Sequence, residues 1–235
     1  MPAVDVIIYI ILLFGAVFSY MAKKLTLPGA ITGAMVGLLI YEGAGLTGVA
    51  MLALFFIAGS WATSWKGQQN VNVKAIENHG PRTAGQVLAN GGVAAILCAL
   101  ALSIPGKAPV LQLMVAGSLA AASADTLSSE LGMIYGRRFY NIVTLKKDTR
   151  GLDGVVSLEG TLIGLFGAVL IAVVYTIGVG WNFSFWAIIT AGFIGNTADS
   201  VLGATAERRG LIGNNAVNFL NTAIGAGVCW LMAAF

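Results

Sequence analysis

The chain has 235 residues, 57% of them hydrophobic and 10% charged, with a mean hydropathy of +0.85. A soluble domain carries about 25% charged residues, so this composition excludes an ordinary soluble protein and implies one all-α integral membrane domain over 1–235. The net charge of +3 includes no basic stripe with interleaved aromatics, which excludes nucleic acid as a partner. Cys98 and Cys229, both in apolar stretches, form no disulfide framework, and the single histidine, His79, excludes a His-rich metal site.

A bilayer span needs about 20 apolar residues. In chain order, the candidates are 4–22, 28–41, 46–64, 85–103, 108–135, 156–178, 183–204 and 215–234. They predict a polytopic fold of about seven to eight transmembrane helices. The first lacks a basic start and a small-residue cleavage site, so it reads as a retained helix. The second is short and Gly-rich, which predicts a re-entrant or tilted segment. The connectors sort by charge: Lys23 and Lys24, then Lys66, Lys74 and Arg82, then Arg137 to Arg150, then Arg208 and Arg209. That places 12 of the 13 basic residues on one side, with Lys107 alone on the other. The positive-inside rule makes the basic side cytoplasmic and both termini external. In a bacterium the membrane would be the inner one. Trp181 and Trp186 fit an outer aromatic belt, Trp61 and Trp65 an inner one. "GAITGAMVG" and "GTLIGLFGA" are small-residue faces suited to close helix packing.

Within the spans stand Asp125, Glu130 and Asp199. An acidic residue at a helix centre costs roughly 2.5–3.5 kcal/mol on insertion scales and marks a functional site by default. Asp125 lies ten residues from Tyr135, so about 15 Å inside that end of its helix. Glu130, five positions on, points about 140° away and cannot share an ion with Asp125 unaided. Ser129 shares the face of Asp125. Gln86 and Asn90 open the fourth span, and Asn214, Asn215, Asn218 and Asn221 open the eighth. All these polar residues lie in the cytoplasmic half, and the outer half carries almost nothing polar. "SADTLSSELG" in the fifth span is echoed by "TADSVLGATAE" in the seventh, each an Ala-Asp pair with a later Glu, as in a parallel repeat.

Mg²⁺ takes one or two carboxylates plus substrate phosphates, and Lys or Arg suits phosphate oxygens. The 136–160 segment, "GRRFYNIVTLKKDTRGLDGVVSLEG", brings Arg137, Arg138, Lys146, Lys147 and Arg150 beside those carboxylates. No Walker A or kinase Gly-rich loop is present, so nucleotide chemistry falls to a membrane-embedded site.

Four motifs, "ASADTLSSELG", "TRGLDGVVSLEGT", "GNTADSVLGA" and "NNAVNFLNT", together with "PRTAGQVLANGG", resemble in order the phytyl-phosphate kinase family of the vitamin E pathway. The likeness runs from about residue 80 to 225, so 1–79 contributes N-terminal helices and 80–235 the motif-bearing part. The resemblance implies conversion of a phytyl or geranylgeranyl monophosphate to the diphosphate, with CTP as donor, Mg²⁺ as cofactor and membrane lipid as surroundings. It implies Asp125, Glu130, Asp153 and Asp199 as catalytic residues. Of these, Asp125, Glu130 and Asp199 would join Asn218 as metal ligands. Arg82, Lys146, Lys147, Arg150, Ser157, Asn215 and Asn221 would hold phosphates, and Gln86, Asn90 and Ser129 the substrate. Two departures are visible. The family's Asp-Gly-Gly is Asp153-Gly154-Val155 here, and an acidic position in the fourth motif is Asn215. Three alternatives stay open: an ion-coupled transporter, a CTP-dependent cytidylyltransferase making a CDP-lipid, and a structural membrane protein.

Overall fold

The structure is a computed structural model that describes residues 3–68 and 80–234. Lys74 and His79 lie outside the described residues. Seven helices follow in order: α1 (Ala3–Met21), α2 (Leu27–Gln68), α3 (Ala84–Ser103), α4 (Ala108–Tyr135), α5 (Leu158–Val179), α6 (Ser184–Leu202) and α7 (Asn214–Met232). Helices α1 to α6 are long and apolar enough to cross a membrane; the asparagines of α7 dilute its apolar run.

The expected second and third spans form a single helical stretch, α2, folded back on itself. At Gly45 the backbone takes φ 62 and ψ −157. Past that residue the chain runs antiparallel to its own first half. A Cβ at Gly48 would lie 2.8 Å from Ile40, and one at Gly37 would lie 3.8 Å from Leu52. At the far end Lys24 reaches Ser64 at 2.7 Å. The 18 residues before Gly45 extend about 27 Å, so the short second segment is a full-length helix close to the thickness of a bilayer core. One residue makes the turn because glycine alone adopts this backbone region without large strain. The site is otherwise open: an added Cβ would meet no atom within 4 Å, so strain is the whole penalty. Gly45→Ala should therefore destabilise the protein by roughly 1–3 kcal/mol, read as a fall in Tm in detergent. Gly15→Ala, inside α1 and equally unobstructed, should leave Tm unchanged or raise it.

Helix α4 is the central element and packs against α2, α3, α5, α6 and α7. Its buried face is small: Ala116, Gly117, Ser118, Ala120, Ala121, Ala122, Ser123 and Ala124 are all shielded. Neighbouring glycines let backbones approach, with Gly225 against the Gly117 carbonyl and Gly164 against the Ala124 carbonyl. In lipid such close packing replaces the missing hydrophobic drive between helices. Large side chains instead face outward, among them Phe14, Phe18, Ile57, Phe166, Ile177 and Trp186. Helix α1 is peripheral: Ser19 is its only buried residue among those described, and its main contact is α2.

Every described basic residue except Lys107 belongs to one end of the bundle. There the chain between α4 and α5 folds as a compact loop. Its strands β1 (Tyr140–Asn141) and β2 (Val155–Val156) pair antiparallel, Tyr140 opposite Val156. This small sheet adds to the all-α expectation. The opposite end is more polar than expected. Tyr9 donates to Glu42 at 2.6 Å and Tyr41 to Asp5 at 2.8 Å. Those pairs sit on peripheral α1 and the α2 turn. The bundle centre between the two ends is sealed by buried Val115, Leu119, Ile171, Ile188 and Cys229.

Candidate active site

Helices α4 and α6 each bring one aspartate to the same point. The carboxyl groups of Asp125 and Asp199 lie within hydrogen-bonding reach of each other. They are the two halves of the sequence echo, and both are half-buried. From α7, Asn221 donates through Nδ2 to Asp199 Oδ1 at 3.3 Å. Asn221 is fully buried, and its Oδ1 has no protein partner among the described residues. The phase of α7 explains the choice of Asn221. Val217, Asn221, Gly225 and Cys229 repeat every fourth residue and all face inward. Asn218 points elsewhere and donates to Asn214 at 3.4 Å.

More negative charge surrounds the pair. Glu130 and Glu207 act electrostatically on Asp125, and Asp153 acts on Asp199. Glu207 is absent from the expected site residues, although it closes the second copy of the echo. It reaches this position because α6 continues into a π-helical turn, Gly203–Glu207, and such turns are frequent at functional sites. Glu130 has turned towards α2, as its angle around the helix requires. It forms an ion pair with Lys66 at 2.7 Å and accepts from Thr63 at 3.2 Å.

The expected four-member metal set is thus not assembled. Among the described residues, no three His, Cys, Asp or Glu side chains group closely enough to hold a metal ion. The residues present still fit Mg²⁺ of one kind. Two touching carboxylates need a proton or a cation between them, and the orphaned Asn221 carbonyl oxygen is a third hard donor. Mg²⁺ bound by two carboxylates fills its octahedron with substrate phosphates and water.

The loop from 136 to 157 docks over this region through one glycine and one arginine. Gly154 has φ 68, and a Cβ there would collide with Ala204 N and the Ser200 carbonyl of α6 and its π turn. Arg208 donates from Nε to the Asp153 carbonyl at 2.6 Å and pairs with Asp148 at 2.9 Å. Val155 sits in β2, and the glycine that the loop's backbone and close packing need is Gly154. The Thr149 N–H and Arg208 hold the Asp148 carboxyl below the ordinary carboxylate range. A depressed folded-state value means the anchor is complete above the unfolded value of about 3.9 and is lost as pH falls below it. Hydrogen exchange should therefore show residues 136–157 loosening below about pH 4, with Asp148→Asn already loosened at pH 7.

Other expected residues have local partners. Ser157 caps α5 by accepting from Gly160 N at 3.1 Å. Gln86 completes a capping box with Thr83, accepting from Thr83 N at 2.9 Å. Asn90 donates to the Gln86 carbonyl at 2.9 Å and keeps a buried Oδ1 without a partner among the described residues. Ser129 is exposed and donates to the Thr126 carbonyl at 3.1 Å. Asn215 lies beside Gly85 at the α3–α7 contact. Lys146 and Lys147 are exposed on the loop, while Arg150 lies 5.7 Å over Phe139 with its Nε unpartnered among the described residues.

Comparison with known proteins identifies the family of the chain. Residues 10–226 match the family described as integral membrane protein DUF92, and the chain belongs to that family. An uncharacterized membrane protein of Synechocystis is 34% identical over 88% of this chain and 82% of its own length. One from Methanocaldococcus jannaschii is 31% identical over 93% of this chain and 91% of its own. Protein VTE6, chloroplastic, of Arabidopsis thaliana is 30% identical over 90% of this chain and 66% of its own. No solved structure matches the chain.

Proposed function

We propose that this DUF92 membrane protein transfers the γ-phosphoryl group of CTP to an isoprenoid monophosphate, phytyl or geranylgeranyl, making the diphosphate at its basic, cytoplasmic end. The observation that carries the reading is the Asp125–Asp199 contact, with Asn221 on it and arginines at its rim. It is supported by the motif resemblance to phytyl-phosphate kinases and by the likeness to VTE6.

The chemistry asks little of the protein beyond placement and charge. A phosphate monoester has a second pKa of about 6, so at pH 7 the acceptor is largely a dianion and already a nucleophile. One of its oxygens bonds to the γ-phosphorus. The bond from that phosphorus to the β–γ bridging oxygen breaks, and the electron pair leaves with CDP. No general base is required, so the paired aspartates are assigned to cation binding. Mg²⁺, held by Asp125 and Asp199 with Asn221, would neutralise charge on the transferring group. The loop arginines would hold the donor phosphates, and docking of Gly154 on α6 would set their height. A transporter would need a polar route to the opposite end, and the sealed layer at Val115, Leu119 and Ile188 disfavours it.

The test is a product assay with purified protein, Mg²⁺, labelled CTP and each prenyl monophosphate in turn. Prenyl diphosphate together with CDP supports the kinase reading. A CDP-lipid with pyrophosphate makes the protein a cytidylyltransferase. Absence of any product with CTP or ATP overturns the nucleotide reading.

A further inference from the structure

Arg82 is fixed at the backbone, and its tip has only aromatic neighbours as partners among the described residues. Its N–H donates to the Lys24 carbonyl at 2.9 Å and its carbonyl accepts from Thr26 N at 3.0 Å, which clamps it to the α1–α2 turn. The side chain then runs inward between α2 and α4. Its guanidinium lies 5.9 Å from the ring centroids of both Phe55 and Phe56. Gly59 makes room for the tip. A Cβ there would be 3.0 Å from Arg82 Nη2 and 3.1 Å from Thr126, the neighbour of Asp125.

This guanidinium has no ion pair or side-chain hydrogen bond among the described residues. Among the described residues the acidic influence on it comes from Glu130, but that carboxylate is committed to Lys66 and Thr63. The other arginine near the aspartates, Arg208, is occupied by Asp148 and the Asp153 carbonyl. A cation drawn into a helix bundle costs several kcal/mol unless an anion meets it. Flanking rings offset part of that cost and leave the planar fork of donors unused.

We infer that Arg82 receives the phosphate of the lipid acceptor, not that of the nucleotide. The inference rests on the phosphotransfer reading and divides that site in two. A guanidinium binds two phosphate oxygens at once. Phe56 is half-buried and its neighbour Ile57 faces outward, so an apolar tail can leave the headgroup directly into lipid. The docked loop, by contrast, lies on the α5–α6 side of α4, at the water-facing end. In-line transfer needs the attacking and leaving oxygens on opposite sides of the phosphorus. With Arg82 on the α2–α3 flank and the loop on the α5–α6 flank, Asp125 and Asp199 stand between them.

The experiment is equilibrium binding of labelled geranylgeranyl monophosphate to the full chain in lipid nanodiscs without nucleotide, with geranylgeraniol as competitor. Wild type should bind the monophosphate and be indifferent to the alcohol. Arg82→Gln should lose at least tenfold in affinity. Should that variant fail to fold, Arg82→Lys decides: its KM for the monophosphate should rise severalfold with the KM for CTP unchanged. Wild-type affinity in Arg82→Gln, or a rise in the CTP KM alone in Arg82→Lys, overturns the assignment and leaves the kinase reading intact. Arg82-dependent binding without turnover from any nucleotide sinks the kinase reading and keeps the phosphate site. A wild type that binds no prenyl monophosphate removes both.

Discussion

Asp125→Asn should lower turnover by roughly 10²–10³-fold, the scale of losing one contact to charge developing in a transition state. The same substitution should not harm the fold. Asp125 sits against Asp199, and two carboxylates in contact repel whenever both are charged. Asparagine keeps the shape and removes one charge, so Tm should hold or rise. Loss of activity with retained stability is the mark of a residue kept for chemistry at the expense of the fold. A third measurement separates metal binding from other roles. Ligand bound to the native state alone stabilises it in proportion to the logarithm of its concentration once the site is near saturation. Mg²⁺ with CTP should raise the Tm of wild type and not that of Asp125→Asn. If Asp125→Asn turns over near the wild-type rate, the cation assignment falls.

Much of this arrangement is legible in the chain because each part of it has a local cause. Spans can be read from hydropathy, and the depth of Asp125 from the count to Tyr135. The Asp125–Asp199 contact is foreshadowed by the echo between "SADTLSSELG" and "TADSVLGATAE". What escapes the sequence depends on rotation and partners. Asn218 and Asn221 share one i, i+3 spacing, and only the inward stripe Val217, Asn221, Gly225 and Cys229 says which one reaches the site. Glu130 groups with the aspartates on sequence alone because Lys66 is distant, and an ion-pair partner in another helix leaves no local pattern. The α2 reversal falls where the sequence separates the spans 28–41 and 46–64; what the sequence does not show is that Gly45 alone makes the turn, with helix continuing on both sides of it. Two residues expected to bind ligand carry visible signatures of a structural role. Thr83 followed by Gln86 is a capping-box pattern, and Ser157 directly precedes α5 as an N-cap.

Gly154→Ala should cost about as much activity as removing a metal ligand, although Gly154 contacts no substrate in the proposed scheme. Two effects combine. A φ of 68 disfavours any side chain by roughly 1–2 kcal/mol. The added methyl would also overlap Ala204 N and the Ser200 carbonyl, and backbone atoms inside a packed helix do not yield. The loop must therefore lift from α6. Lifting would break the Arg208–Asp153 bond and strain the pairing of Ile142 N with the Gly154 carbonyl, now 3.0 Å. It would also carry Asp153 away from Asp199. Misplacement by about 1 Å can cost 10²-fold in rate, so a drop of that order is expected with helical content unchanged. Hydrogen exchange should rise in 136–157 and stay constant in α4. Gly180→Ala supplies the comparison. Its φ of 107 imposes backbone strain too, but the position is open and lies at the opposite end of the bundle. It should lower Tm and spare activity. Equal losses of activity in both variants would mean that general instability, not loop docking, sets the rate, and the role given to the Gly154 contact would be withdrawn.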